Sequence, residues 1–514
     1  MNYNLTNTQN DYAYFLPAIS GFYSTFIGKQ RFEEYVVKTR IPKDYTNSVE
    51  SLNYLNKQKG KFYYKWSLYS AGHADLDITK HMPKEDMIRN RDRENTWLLG
   101  DSGGFQIGKG VWEGNWKDPG CPKASKKRKD VLAWMDEYMD YGMILDIPAW
   151  VSRSERGQAA TGVTTYQEAV NATRINNNYW LQNRSGACKF LNVLQGENHT
   201  DAEDWYQQMK DYCDPKKYPG NHFNGWSMGG QNMCDIHLAL KRLISLRFDN
   251  LLEKGIHDVI HFLGTSKLEW AVLLTDVQRA IRKYHNENFM VTFDCASPFL
   301  ATANGQIYIQ TETKDRKKWV YRMVPSIDGL KYATDTRNFK TGVLQDNIFK
   351  NFEDSPLTEN ILINDICVYA EGDTNKVGGP KIKAGNIDKD KHGNPILDDN
   401  GNIIIRKRDS TSWDSFSYAI QMGHNVWSHI TAVQEANRQY DNNIIPSMLI
   451  REDFDIIAFR DVVNDIFATD DKQKANDIND DYQRYLDSIL GTRGRVGKKM
   501  MHAHTKYNEF FEEV

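Results

Sequence analysis

Cysteine is scarce in this sequence, and it follows no pattern. Six thiols stand at Cys121, Cys188, Cys213, Cys234, Cys295 and Cys367 among 514 residues, and no two are spaced as CxxC. Scattered so thinly along a long chain, they argue against a disulfide framework and read as reduced thiols of an intracellular protein. Long apolar runs are missing as well, and none approaches the ~20 residues that cross a bilayer. The first residues, MNYNLTNTQNDYAYF, lack the basic stretch and apolar run of a signal peptide. The expectation is a cytoplasmic protein with no membrane partner. Excess charge of one sign is also absent: 65 Lys+Arg face 68 Asp+Glu, a formal net charge of −3. That rules out a histone-like polycation but leaves local basic patches free to meet nucleic acid. No internal repeat is visible.

What is present suits a large globular core, with 40% apolar and 12% aromatic residues. The length allows roughly three domains, or one α/β barrel with additions. Between 61 and 310 short apolar runs alternate with amphipathic stretches. The runs are 62–70 (FYYKWSLYS), 96–100 (TWLLG), 143–145 (MIL), 190–194 (FLNVL), 223–228 (FNGWSM), 259–263 (VIHFL) and 289–293 (FMVTF). Each reads as a buried parallel strand. Helical spacing marks 129–141, 165–183, 233–254 and 267–284; in the last, Leu268, Ala271, Val272, Leu274, Val277 and Ile281 gather on one side. An eighth strand at 306–309 would complete a (β/α)8 TIM barrel, with an open doubly wound sheet as the structural alternative.

The expected organisation is an N-terminal extension over 1–60, a catalytic barrel core over 61–310, and an inserted polar subdomain over 311–410. The last barrel helix follows at 411–440, then a helical C-terminal extension with a basic tail at 441–514. The insertion carries hairpin signals such as Asp399-Asn400-Gly401. Its Asp388-Lys389-Asp390 start resembles an EF-hand loop, but position 12 is Asp399 rather than Glu, so a hairpin is preferred.

In a (β/α)8 barrel the active site is built from the C-terminal ends of several strands. The predicted ends carry Asp101-Ser102-Gly103-Gly104-Phe105-Gln106, then Asp146, Gln195-Gly196, Gly229-Gly230, Gly264 and Asp294. One such Asp is more often a helix cap or turn residue. Three carboxylates, an amide and exposed glycine backbone at one mouth point instead to a polar, planar ligand and a reaction using two acids. His257 and His261 have HxxxH spacing but run into a predicted strand, about 13 Å apart, too far to share a metal. His73, His81 and His285 stand alone. No metal ligand set is expected.

DSGGFQ at 101–106, LQG at 194–196, GG at 229–230, HFLG at 261–264 and FDCASP at 293–298 together resemble the ordered signatures of the tRNA-guanine transglycosylase superfamily. The segment 424–438 is similar to that family's last barrel helix. The resemblance implies Asp294 as nucleophile toward C1′ of a nucleotide, giving a covalent glycosyl–enzyme intermediate. It implies Asp101 as general acid/base, Phe105 stacking on the purine, and Ser102, Asp146, Gln195, Gly196, Gly229 and Gly230 around the base. The family's CxCxxC…His zinc site is not matched, since only Cys295 and Cys367 remain in that part of the chain, so no cofactor is expected. The segment after Gly229-Gly230 and the Pro298-Phe299-Leu300 segment also depart from the tRNA enzymes. This pattern is more like the phage and bacterial DNA-guanine transglycosylases, which place a 7-deazaguanine such as preQ0 into DNA. A tRNA enzyme and a non-catalytic nucleic-acid-binding relative are the alternatives, with a homodimer or a partner protein as possible assemblies. Basic residues Lys123, Lys126, Lys127, Arg128 and Lys129, and the tail residues Arg493 and Arg495, are candidate phosphate contacts beside Trp112 and Trp116. The plain reading of such runs is a solvated charged surface.

Overall fold

The apolar runs pair side by side as parallel strands because each is flanked by a helix that covers it. In the computed structural model the strands are β1 (Tyr14–Pro17), β2 (Trp66–Ser70), β3 (Trp97–Asp101), β4 (Tyr141–Met143), β5 (Lys189–Leu194), β6 (Gly225–Met228), β7 (Val259–Phe262) and β8 (Met290–Cys295). The structure describes residues 3–32, 35–36, 40–45, 49–347, 349–369, 386–387, 389–406, 411–451, 457–489 and 491. Strands β2 to β8 follow one another in chain order, all parallel, and β1 lies beside β8. The two ends of the sheet meet at the parallel bridge Ala18↔Leu68, where the Ile19 N–H donates to the Leu68 carbonyl at 3.0 Å. The result is a nearly closed, TIM-barrel-like (β/α)8 sheet, not an open doubly wound one.

Helices alternate with the strands: α1 (Gly21–Phe32), α2 (Pro122–Tyr138), α3 (Tyr166–Asn183), α4 (His199–Met209), α5 (Ile236–Phe248), α6 (Leu268–Tyr284) and α7 (Ser415–Asp441). Polar caps start several of them. The side chains of Thr165, Asn198, Asp235 and Asp414 each accept an N–H from the first turn of the helix that follows. Helix α6 is buried on more than its expected apolar side, with Trp270, Leu273, Thr275 and Gln278 covered too. The cause is tertiary: α7 and the C-terminal helix α8 (Phe459–Ala468) pack against its outer surface. A further helix, α9 (Lys472–Asp481), lies on α5.

The eighth strand is not where the apolar pattern put it. Residues 306–309 belong to an antiparallel hairpin, β9 (Gln306–Glu312) with β10 (Val320–Pro325). The connection over 296–305 is too short for a parallel crossover, which takes a dozen or more residues. The missing strand is β1, from the segment expected only to pack on the barrel. Four residues, Tyr-Phe-Leu-Pro, are too short to show a period. Within the insertion the hairpin expectation is met: Leu397 bridges Ile403 antiparallel across a turn in which Gly401 has φ +79°.

One buried ion pair fastens α7. Arg40 Nε donates to Asp414 Oδ2 at 2.7 Å and its Nη2 to Asp414 Oδ1 at 3.0 Å, and both side chains are fully buried. Asp414 also caps α7 through the Ser417 N–H at 2.9 Å. Removing one partner of a buried pair strands the other charge. Asp414→Ala is therefore expected to lower unfolding free energy by roughly 3–5 kcal/mol in urea titration; a loss under about 1 kcal/mol would show that the pair does not fasten the helix.

Candidate active site at the barrel mouth

Asp294 sits on β8, where register sets Thr292 against His261 of β7 and Asp294 against Leu16 of β1. Its Oδ1 takes the Gly264 N–H at 2.9 Å and faces His261 Nε2 at 3.2 Å, with the carboxylate side chain 13% exposed. A carboxylate can only accept, so Nε2 carries the proton. The other ring nitrogen, Nδ1, lies 2.9 Å from Thr292 Oγ1. Thr292 and Asp294, two residues apart, share one face of the strand, and the wholly buried His261 spans both. The sequence reading set this histidine aside as a metal ligand and missed it as a partner of the carboxylate. The signal was available in the shared register of two adjacent strands.

Asp101 ends β3. Ser70 Oγ, from the paired tip of β2, donates to its Oδ2 at 2.6 Å, and the Gly103 N–H approaches Oδ1 at 3.4 Å. Loss of water raises the Asp101 carboxyl above its ordinary range; the Ser70 and Gly103 bonds oppose the rise, and the charge of Asp294 adds to it. His73 lies close enough for its charge to count in the opposite sense, while its own burial pushes its pKa down. Ser70 and His73 were not foreseen, because neither stands in a motif. The turn after Asp101 needs glycine: Gly103 has φ +82°, and a Cβ there would lie 2.5 Å from the Trp112 ring.

The third carboxyl lies deeper. Asp146 is 6% exposed, and its Oδ2 accepts from Gln195 Nε2 at 2.8 Å. Burial drives its pKa to about 7; the Gln195 hydrogen bond works against this, and the charge of Asp101 works with it. Two chain segments close over this pair. Gly104 leaves no room for a side chain against Asp146, and the Gln231 N–H donates to the Gly196 carbonyl at 2.8 Å. Gly230, at φ +54°, would put a Cβ 2.4 Å from that carbonyl, so this closure also depends on glycine. Gly229 N–H donates to the Leu194 carbonyl at 2.8 Å. Ser102 is buried beside Asp101. Phe105 is half-buried, its ring 6.2 Å from Trp150, an aromatic neighbour the sequence did not single out.

Beside the β2 and β3 tips a cavity of about 740 Å³ is lined by Gly72, Trp112, Lys84, Lys126, Lys127 and Lys129, among others. Lys127 Nζ stands 4.7 Å over the Trp112 ring, and burial lowers its pKa. Lys126 pairs with Asp130 at 2.5 Å, and Lys129 is exposed. Lys126, Lys127 and Lys129 lie on α2, because Pro122 starts a helix after Cys121. Two residues of this group depart from the expectation. Arg128 is 3% exposed, with its Nε on Asn176 Oδ1 at 2.6 Å, so it faces inward and cannot reach a phosphate. Trp116 is fully buried, its Nε1 on the Trp112 carbonyl at 3.1 Å, and cannot stack on a base. Arg493 and Arg495 lie outside the described residues.

Cys295 and Cys367 do not converge. The Cys295 thiol is 3.6 Å from His429 Nε2 and Cys367 donates to the Ile327 carbonyl at 3.4 Å, and burial pushes both thiols up to about 12. No family model and no curated protein matches the chain.

Because the Asp146 pKa is raised on folding, its contribution to stability is full below about pH 4 and is lost as pH rises through about 7. Asp146→Asn removes that dependence. The melting temperature of the variant, relative to the parent, is expected to climb as pH goes from 4.5 to 8. A difference that stays flat across this range would mean that Asp146 ionises normally.

Proposed function

We propose that this chain is a guanine transglycosylase that exchanges guanine in DNA for a 7-deazaguanine base such as preQ0. The observation that carries the reading is the pair Asp101 and Asp294 at one barrel mouth, held in contrasting surroundings. Asp294 is met by N–H donors from Gly264 and His261, while Asp101 is desolvated and met mainly by one hydroxyl. Such contrasting surroundings support Asp101 as the acid and Asp294 as the nucleophile.

The reaction runs as two displacements. Asp294 attacks C1′, the C1′–N9 bond breaks, and Asp101 gives its proton to the departing guanine. The 7-deazaguanine then enters, loses its N9 proton to Asp101 and attacks C1′, and Asp294 is released. Two inversions retain the configuration. His261 is a positioning residue, fixing the carboxylate through Nε2 while Thr292 holds its other nitrogen. The base lies on Phe105, with the Asp146–Gln195 pair and the Gly229-Gly230 backbone at its polar edges. Ionised Asp146 accepts the N1–H and amino donors of guanine. In a duplex the target nucleotide is extruded to reach such an enclosed mouth, or the substrate is single-stranded. Lys127 over Trp112 fits a phosphate beside an aromatic platform.

Labelled guanine and labelled preQ0 offered with DNA and tRNA side by side test the substrate. Incorporation into DNA is expected, and incorporation into tRNA alone would favour the RNA reading. On a denaturing gel, a covalent DNA adduct is expected that Asp294→Ala abolishes. Asp101→Asn is expected to slow exchange by roughly 10²–10⁴-fold. Neither adduct nor exchange with either polymer would favour a non-catalytic binding relative. For the cavity, Lys127→Ala is expected to weaken DNA binding about equally for all sequences and to lower the slope of log K against log salt by about 1; an unchanged slope would remove Lys127 from the interface.

A further inference from the structure

At the starts of α4 and α5, two histidines and a carboxylate face one another. His199 opens α4, Asp235 caps α5, and His237 follows two residues later. Each offers one donor atom, and these atoms all lie within 4.8 Å of one another. His199 Nε2 is 2.9 Å from Asp235 Oδ2, and the two imidazoles stack at 5.8 Å and 24°.

The decisive atom is Nδ1 of His237. This residue is 3% exposed, and its Nε2 lies 2.9 Å from Oδ1 of Asp480 on α9. A carboxylate can only accept, so Nε2 carries the hydrogen, and in the neutral ring Nδ1 is left with a lone pair. Nδ1 is buried without a hydrogen-bond partner. A second acceptor nearby is in the same state: Gln231 Oε1 is buried and unmet, while the Nε2 of that side chain donates to Asp235 Oδ2 at 2.8 Å. Buried acceptors with nothing to accept are costly and call for a cation or a donor.

We propose that His199, Asp235 and His237 bind a divalent transition-metal ion of the Zn²⁺ class. Two imidazoles and a carboxylate suit that class, and three protein ligands leave a fourth position open to solvent. The Asp480–His237 contact then has the form of a metal-binding histidine oriented from behind by a carboxylate. The Asp235 carboxylate is held in place by His199, Gln231 and the Leu238 N–H, the last at 3.0 Å. The N-terminus of α5 carries partial positive charge that opposes a cation, and the carboxylates of Asp235 and Asp480 offset it. The ion clasps the loops after β5 and β6, which also carry Gln195-Gly196 and Gly229-Gly230, and ties them to α9 through Asp480. The three ligands themselves take no part in the proposed exchange reaction.

The test uses the full chain, stripped with chelator, with Zn²⁺ followed by calorimetry and Co²⁺ by visible absorption. One equivalent of Zn²⁺ is expected to bind and to raise the melting temperature, and Co²⁺ to give d–d bands without a thiolate charge-transfer band. His199→Ala and His237→Ala are expected to abolish stoichiometric binding, and Asp480→Asn to weaken it by about 10–100-fold. His199 is partly exposed, so its variant keeps the test open should the buried His237 variant misfold. No stoichiometric binding by the parent, undiminished binding by His199→Ala, or a thiolate band would each overturn the site.

Discussion

Everything at the mouth depends on how the barrel closes. The sheet would end at β8, the strand that carries Asp294, if β1 did not pair with it from Thr292↔Tyr14 to Cys295↔Pro17. β1 then reaches β2 through Ala18↔Leu68, and β2 sets Ser70 against Asp101. A chain of parallel ladders thus runs from one proposed catalytic carboxylate to the other through only two intervening strands. An open edge at β8 would leave backbone groups unpaired and Asp294 on a fraying strand end. The four residues of β1 therefore decide whether two acids face each other across a mouth or lie on separate edges.

Closure fixes position, and local hydrogen bonding then sets the differences among the three carboxyls. Asp294 meets two N–H donors, from His261 and Gly264. Asp101 and Asp146 are short of water, and each lies within reach of the next carboxylate. Loss of water and these neighbouring charges both push the Asp101 and Asp146 carboxyls upward, so each holds its proton more firmly than a solvated carboxyl. In the proposed reaction, the N–H groups of a purine edge would meet these carboxyls as donors.

Much of this was legible in the sequence, for identifiable reasons. Buried parallel strands are continuous apolar runs of several residues, and the seven from 62–70 to 289–293 stood out. Their polar ends followed directly, which put Asp101, Asp146, Gln195 and Asp294 at one rim. β1 was illegible because four residues carry no period and its pairing partners are remote in sequence. The inward turn of Arg128 was illegible because a basic run looks alike whether its cations face water or a neighbouring helix; it is Asn176, on α3, that gives this guanidinium a buried partner. His261 was misjudged because strand spacing excludes a shared metal but says nothing about a carboxylate on the adjacent strand.

The insertion between β8 and α7 has a bearing on the same chemistry. Its hairpin brings the Tyr321 hydroxyl to 3.1 Å from His429 Nε2 on α7, and the two rings stack at 4.3 Å. Phe15 of β1 covers another side of that imidazole at 4.4 Å, and the Cys295 thiol meets the same Nε2. Burial lowers the His429 pKa to about 3 and keeps it neutral, while Cys295 stays a thiol. Directly behind Asp294, then, stands a group that is neither a charged neighbour nor a competing nucleophile. An ionised thiolate at that position would add a further negative charge and a stronger nucleophile one residue from the carboxylate. By enclosing Cys295 in an apolar and aromatic box, the insertion leaves Asp294 as the nucleophile that the mouth exposes in the proposed reaction.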